Sequence, residues 1–250
     1  MKKVKNIIEY EVSGPYALFS EPALRVGGEK TSYHIPTYEA LKGITESIYW
    51  KPTIKWIIDA VRIMNPIQTE TKGIRTLGYG GGADLSYYTY LKNVKYQVRA
   101  HFEINYNHPE LANDRNEGKH YNIAKRMVKR GGRRDVFLGA RECQGFVEPC
   151  VFGEGASTYD SMLGEIAYGF MYHGITYADE AVLPEEKGKM TVNFWRPVIK
   201  SGGIIEFDRP EDCPSKRVIK DMRRTIFGNG NFSGLSEFGA GERRVNELGK

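Results

Sequence analysis

Cysteine is scarce and unpatterned. Cys143, Cys150 and Cys213 make an odd count with no C-x-x-C spacing, which argues against a disulfide framework or a structural zinc site and leaves small buried or idle thiols. Long apolar runs are also lacking: no stretch approaches the roughly 18 consecutive apolar residues of a membrane span. The opening MKKVKNIIEYEV turns acidic and polar after its basic start, so a cytoplasmic protein without a targeting segment is expected. The five histidines, His34, His101, His108, His120 and His173, show no H-E-x-x-H pattern or shared spacing, and no metal or other cofactor is expected. A P-loop ending is missing. Gly78, Gly80 and Ala83 in LGYGGGAD superficially fit a dinucleotide fingerprint, but the strand-like SYYTYLKNVKY follows where a helix would be needed, so a hairpin tip is the better reading. The RNP1 consensus of RNA-recognition motifs is absent as well.

What is present is a globular chain of 250 residues with unevenly placed charge. Ile8, Tyr10 and Val12 alternate with Glu9 and Glu11 in a half-buried strand that Ser13-Gly14-Pro15 should end. Pro36 and Thr37 start a helix over residues 38–49, whose Leu41, Ile44 and Ile48 share a face, and Pro52 stops it. IKWIIDAVRIM, residues 54–64, reads as a second strand. In VKYQVRAHFEI, Val94, Tyr96, Val98, Ala100, Phe102 and Ile104 alternate without a break against polar residues. Asp114 and Glu117 resemble a capping box, and Ile123, Ala124, Met127 and Val128 carry a helix over 117–130 to Gly131-Gly132. DVFLG and ECQGFVEP then suit a closing strand and hairpin.

The order is β-α-β-β-α-β, so the expected fold class is α+β with a ferredoxin-like domain over residues 1–152. TVNFWRPVIKSGGIIEF reads as two strands joined by Ser201-Gly202-Gly203, within a small antiparallel β subdomain over 153–210. A partly irregular C-terminal extension is expected over 211–250.

The strongest chemical signal is DRNEGKHYNIAKRMVKRGGRRD, residues 114–135. The twenty positions from Arg115 to Arg134 hold eight Lys or Arg against one acid, an excess of seven in a chain whose net charge is +5. Lys125 and Lys129 are four apart, as are Arg126 and Arg130, which lines the cations up along one side of a helix. Lys95, Arg99 and His101 on the polar face of the preceding strand should widen this surface, and a polyanion is the natural partner. His120 has two readings. It lies beside the apolar stripe, as a core histidine would, but also in the first helical turn next to Lys119, where free N–H groups favour a phosphate.

The segments YALFSEP, GGEKTSYHIPTYEALKGITESIYWKPT, PIQTETKGIRTLGYGGG, LSYYTYLK, DRNEGKHYNIAKR, GGRRDVFLGARECQGFVEPC and RPEDCP closely resemble CRISPR-associated Cas family five proteins of the Dvulg subtype (type I-C), members of the RAMP superfamily. The resemblance runs from about residue 16 to 153, returns near 207–214, and is weak between and in the tail. It implies a ferredoxin-like RAMP domain with a β extension, and an endoribonuclease that cuts CRISPR precursor RNA within its repeats and retains the crRNA 5′ handle alongside other Cas subunits of a surveillance complex. The alternative it leaves open is a non-catalytic crRNA-binding subunit of that complex. The family's catalytic tyrosine falls on Tyr49 of ESIYWKP, and its lysine and histidine on Lys119 and His120 of EGKHY. Metal-independent attack by a 2′-OH would then leave a 2′,3′-cyclic phosphate and a 5′-OH. Tyr49 is expected to position the 2′-OH and His120 to protonate the leaving group, with the reverse assignment open. Arg115, Lys125, Arg126, Lys129, Arg130, Arg133 and Arg134 are the expected phosphate contacts.

Overall fold

A computed structural model describes residues 6–25, 28–78 and 80–227. The chain opens with β1 (Ile7–Ala17), β2 (Lys30–Thr31), α1 (Tyr38–Ile48), β3 (Ile54–Ile63), β4 (Thr69–Leu77) and β5 (Ala83–Ile104). It continues with α2 (Glu117–Arg130), β6 (Val136–Phe137) and β7 (Gln144–Pro149). The large sheet runs β12-β3-β5-β1-β7-β6, where β12 is Ile204–Glu206, and β2 and β4 pair with the first half of β5. Within it β1, α1, β3, β5, α2 and β7 follow one another as β-α-β-β-α-β, and the neighbours β3-β5, β5-β1 and β1-β7 are all antiparallel.

The alternating apolar residues explain why this sheet forms. Ile8, Tyr10 and Val12 of β1 and Tyr96, Val98, Ala100 and Phe102 of β5 are buried, and α1 and α2 add Leu41, Ile44, Ile48, Ala124 and Val128 to the same hydrophobic cluster. β1 outruns its expected end at Ser13-Gly14-Pro15. Its pairing with β7 covers only Tyr10–Ser13, so Pro15, which has no N–H to give, lies where that neighbour has already ended. β4 and β5 form a two-stranded ribbon, and at its tip the Gly81 N–H donates to the Gly78 carbonyl.

α1 begins at Thr37, whose side chain accepts from the Ala40 N–H. α2 has the expected span but a different cap. Asn116, not Asp114, accepts from the Lys119 N–H, and Gly131 ends the helix in the left-handed conformation at φ 86°.

A second sheet comprises β9 (Met171–Thr176), β10 (Lys189–Trp195) and β13 (Ser215–Asp221), in the order β13-β10-β9. β8 (Ile166–Ala167) pairs with β11 (Val198–Ile199). The hairpin expected from TVNFWRPVIKSGGIIEF shrinks to a single antiparallel bridge between Lys200 and Ile204 across Ser201-Gly202-Gly203. Gly202 and Gly203 both take φ 77°, and a Cβ on Gly203 would lie 2.6 Å from the Ile63 carbonyl oxygen. This close approach sends β12 onto the edge of β3 and leaves β10 between β9 and β13. β13 belongs to the segment expected to be a partly irregular extension; residues 228–250 of that segment lie outside the described residues. Met171, Trp195, Ile199 and Ile205 join the same hydrophobic cluster as the large sheet. Cys143 and Cys213 are buried, Cys150 is half-buried, and all three are free.

Candidate active site

Two chain turns bring the residues singled out in the sequence together. α1 stops at Ile48, and Tyr49 goes extended (φ −157°, ψ 126°) while its N–H still donates to the Thr45 carbonyl. The Trp56 Nε1–H donates to the Tyr49 carbonyl at 2.7 Å, pinning that turn to β3. The first turn of α2, capped by Asn116, presents Lys119 and His120 to the same place. The exit from α2 ties back to α1: the Arg133 N–H donates to the Ser47 and Ile48 carbonyls and the Arg134 N–H to Ser47.

Tyr49 Oη lies 2.7 Å from His120 Nδ1, and His120 Nε2 lies 2.8 Å from the Asp114 carbonyl oxygen. A carbonyl can only accept, so Nε2 carries a hydrogen and the neutral ring offers Nδ1 as an acceptor for the tyrosine O–H. Burial holds the Tyr49 phenol above its usual range, with the nearby Asp114 charge acting in the same direction and Arg133 opposing both. The phenol is therefore protonated near neutrality and can donate to that ring. His120 has no exposed surface and Tyr49 only 3%; the core reading of this histidine and its placement beside Tyr49 hold together. Neither ring nitrogen is open to a leaving group in this arrangement.

Asp114 joins the remaining groups. Its Oδ2 accepts from the Thr53 hydroxyl at 2.7 Å and lies 3.6 Å from His120 Nε2, and its Oδ1 pairs with the Lys119 ammonium. Burial works to raise this carboxyl, but the hydrogen bonds from Lys119 and Thr53 outweigh it and hold it below the usual range. The Lys119 side chain is half exposed. It is the member of the group most open to an incoming anion. Sequence reasoning misses Asp114 and Thr53 as site residues; Asp114 does carry a signal, but it reads as a helix cap.

The cations divide into two sets. Lys125, Arg126, Lys129, Arg130, Arg133 and Arg134 are all exposed, and none makes an ion pair to the described residues. The Lys125 ammonium lies over the Tyr121 ring at 5.4 Å. Arg115 stands apart: it is half-buried, donates from Nη2 to the His108 carbonyl at 3.0 Å, and sits 5.0 Å from the Tyr106 ring centre. The expected widening by β5 does not occur. The helices pack over the apolar face of the sheet, so Lys95, Arg99 and His101 point the other way, paired with Glu11, Glu9 and Asp59. The hydrogen bond to Asp59 and the Glu103 carboxylate 3.8 Å from Nε2 raise His101 to about 9, so its positive charge is held within a network of acids.

Among the described residues, no helix is long and apolar enough to cross a membrane. Known proteins give this architecture a context. The family model Cas_Cas5d, described as CRISPR-associated protein (Cas_Cas5), matches residues 7–207. The CRISPR pre-crRNA endoribonuclease Cas5d of Mannheimia succiniciproducens is 30% identical over 237 residues, covering 80% of this chain and 94% of that protein. The protein of the same name from Thermus thermophilus is 35% identical over 57 residues, 23% of this chain and 24% of its own. A solved structure described as a CRISPR-associated protein superimposes with a TM-score of 0.70 at 34% identity, covering 84% of this chain and 96% of its own. With a family model spanning most of its length and a relative aligned over four-fifths of it, this chain belongs to the Cas5 family of CRISPR-associated proteins.

Proposed function

We propose that this chain is a metal-independent endoribonuclease that cuts CRISPR precursor RNA within its repeats and then stays on the crRNA 5′ handle as a subunit of a type I-C surveillance complex. The observation that carries the reading is the Tyr49 hydroxyl on His120 Nδ1 at 2.7 Å, with the Lys119 ammonium on the same Asp114 that accepts from His120. The name of the curated relatives, CRISPR pre-crRNA endoribonuclease, supports the substrate.

Cleavage by a neighbouring 2′-OH needs a base for that hydroxyl, charge stabilisation at phosphorus and a proton for the departing 5′ oxygen. A phenol and an imidazole joined by a hydrogen bond can move the first proton, a step worth about 10²–10⁴-fold. Lys119 would stabilise the developing phosphorane, worth roughly 3 kcal/mol when preorganised. The exposed cations from Lys125 to Arg134 would hold the phosphates of the repeat hairpin.

The test is incubation of the purified protein with repeat RNA, with and without EDTA, followed by analysis of the product ends. A 2′,3′-cyclic phosphate and a 5′-OH, formed equally in EDTA, are expected, and a 2′-deoxy nucleotide at the scissile position should block cutting. Loss of activity in EDTA would replace this reading with a metal-dependent nuclease. One observation favours a second reading, a non-catalytic crRNA-binding subunit: Tyr49 and His120 are almost wholly covered. Tight binding of repeat RNA without any cleavage would establish that reading instead.

A further inference from the structure

Asp114 sits where the polar groups of the proposed centre meet. Its main-chain carbonyl receives the His120 Nε2–H, its Oδ2 receives the Thr53 hydroxyl, and its Oδ1 holds Lys119. Because the carbonyl only accepts, Nε2 keeps its hydrogen whether the ring is neutral or charged. Nδ1 is then the one position where His120 can gain or lose a proton, and Nδ1 faces Tyr49. With no exposed surface of its own, the ring reaches a substrate only through that hydroxyl.

We infer that Asp114 is a positioning residue that commits His120 to act as a base through Tyr49 and sets Lys119 on the leaving-group side. The inference rests on the endoribonuclease reading above and divides the labour within it. RNA must first part the packing over Tyr49. The 2′-OH then gives its proton to the Tyr49 oxygen as the tyrosine proton passes to His120 Nδ1. The 2′ oxygen bonds to phosphorus, the bond from phosphorus to the 5′ oxygen breaks, and that oxygen takes a proton from the Lys119 ammonium. The imidazolium, with Asp114 Oδ2 at 3.6 Å from its Nε2, afterwards returns its proton through Tyr49 and water to the Lys119 amine. No net proton is consumed, as a transesterification requires.

A bridging sulfur at the scissile 5′ position separates the roles, because a thiolate leaves without being protonated. The variant H120Q suits the comparison, since its amide can still donate to the Asp114 carbonyl. On repeat RNA with either oxygen or sulfur at that position, H120Q should be slower than wild type by about 10²-fold or more. K119M should be slow on the oxygen substrate and recover most of the missing rate on the sulfur one. D114N retains the carbonyl, so the tautomer survives; kcat should fall about tenfold, less than where a tautomer is lost, with KM unchanged. D114E should restore part of the rate. If D114N does not fold, T53V, which removes the hydroxyl holding Oδ2, should lower kcat by a smaller factor, again with KM unchanged.

Restoration of H120Q by sulfur would make His120 the leaving-group acid and overturn this inference while leaving the endoribonuclease reading intact. Full activity of H120Q on the oxygen substrate would overturn the reading itself. An unchanged kcat in folded D114N, or in T53V where D114N does not fold, would remove Asp114 from its role.

Discussion

His120 and His173 both lack exposed surface, and both point Nε2 at a main-chain carbonyl, Asp114 at 2.8 Å and Asp208 at 2.9 Å. On the other ring nitrogen they part. His120 Nδ1 meets the Tyr49 hydroxyl, whereas His173 Nδ1 has no hydrogen-bond partner among the described residues. His173 instead stacks on Tyr38 at 4.2 Å and meets the Trp195 ring edge-on at 5.3 Å. Burial pushes His173 down to about 4, against the opposing pull of the Asp208 carbonyl, so it stays neutral through the physiological range. Burial and tautomer are thus common property of the two. What separates the proposed catalytic histidine from the packing one is a second titratable group on Nδ1, with a lysine close by.

The most severe test of that contrast exchanges the two residues for glutamine. Repeat-RNA cleavage should fall about 10²–10⁴-fold in H120Q, while H173Q should keep its rate per folded molecule; equal losses would break the comparison. Next in size is acid stability. The unfolded chain protonates His173 near pH 6.5, but the folded chain only near 4, so between these values the unfolded state binds more protons. The His173 contribution is complete above about pH 6.5 and lost as pH falls to 4, amounting to about 3 kcal/mol at most. Denaturant unfolding of wild type and H173Q from pH 4 to 7 should show this slope in wild type alone. Smaller still is the effect of charge reversal at Lys125 and Lys129, which should weaken repeat-RNA binding about tenfold and flatten its salt dependence by about 0.9 in log–log slope for each phosphate no longer neutralised. The same reversals should leave the acid stability due to His173 untouched. The mildest change, Asn116→Ala, removes the cap that starts the helix bearing His120 and should cost about 1 kcal/mol, read as a small drop in melting temperature.

Local periodicity makes much of the architecture legible. The unbroken alternation from Val94 to Ile104 lies within β5, and the stripe of Ile123, Ala124, Met127 and Val128 marks α2 over its observed span. What alternation cannot say is which elements cover each face. Lys95 and Arg99 look free in the sequence, yet pairing with β1 sets Glu9 opposite Arg99 and Glu11 diagonally across from Lys95. β12 crosses to β3 for the same reason, since its partner lies some 140 residues earlier in the chain. Asp114 reads as a cap in the sequence, but Asn116, two residues nearer the helix, satisfies that role and frees the aspartate for Thr53, Lys119 and the histidine. Tyr49 and His120 stand 71 residues apart, and no pattern in either segment points to the other; that pairing is legible only through the likeness to related proteins.

The acceptor that orients His120 is a peptide oxygen, and this bears on how the site can drift. A substitution at position 114 alters the charge beside the ring but still supplies a carbonyl, so the setting of Nε2 is insulated from point mutation so long as the backbone path persists. The same holds for Asp208 under His173. At either histidine the setting of Nε2 thus belongs to the backbone, and what a side-chain substitution can change is the group that meets Nδ1.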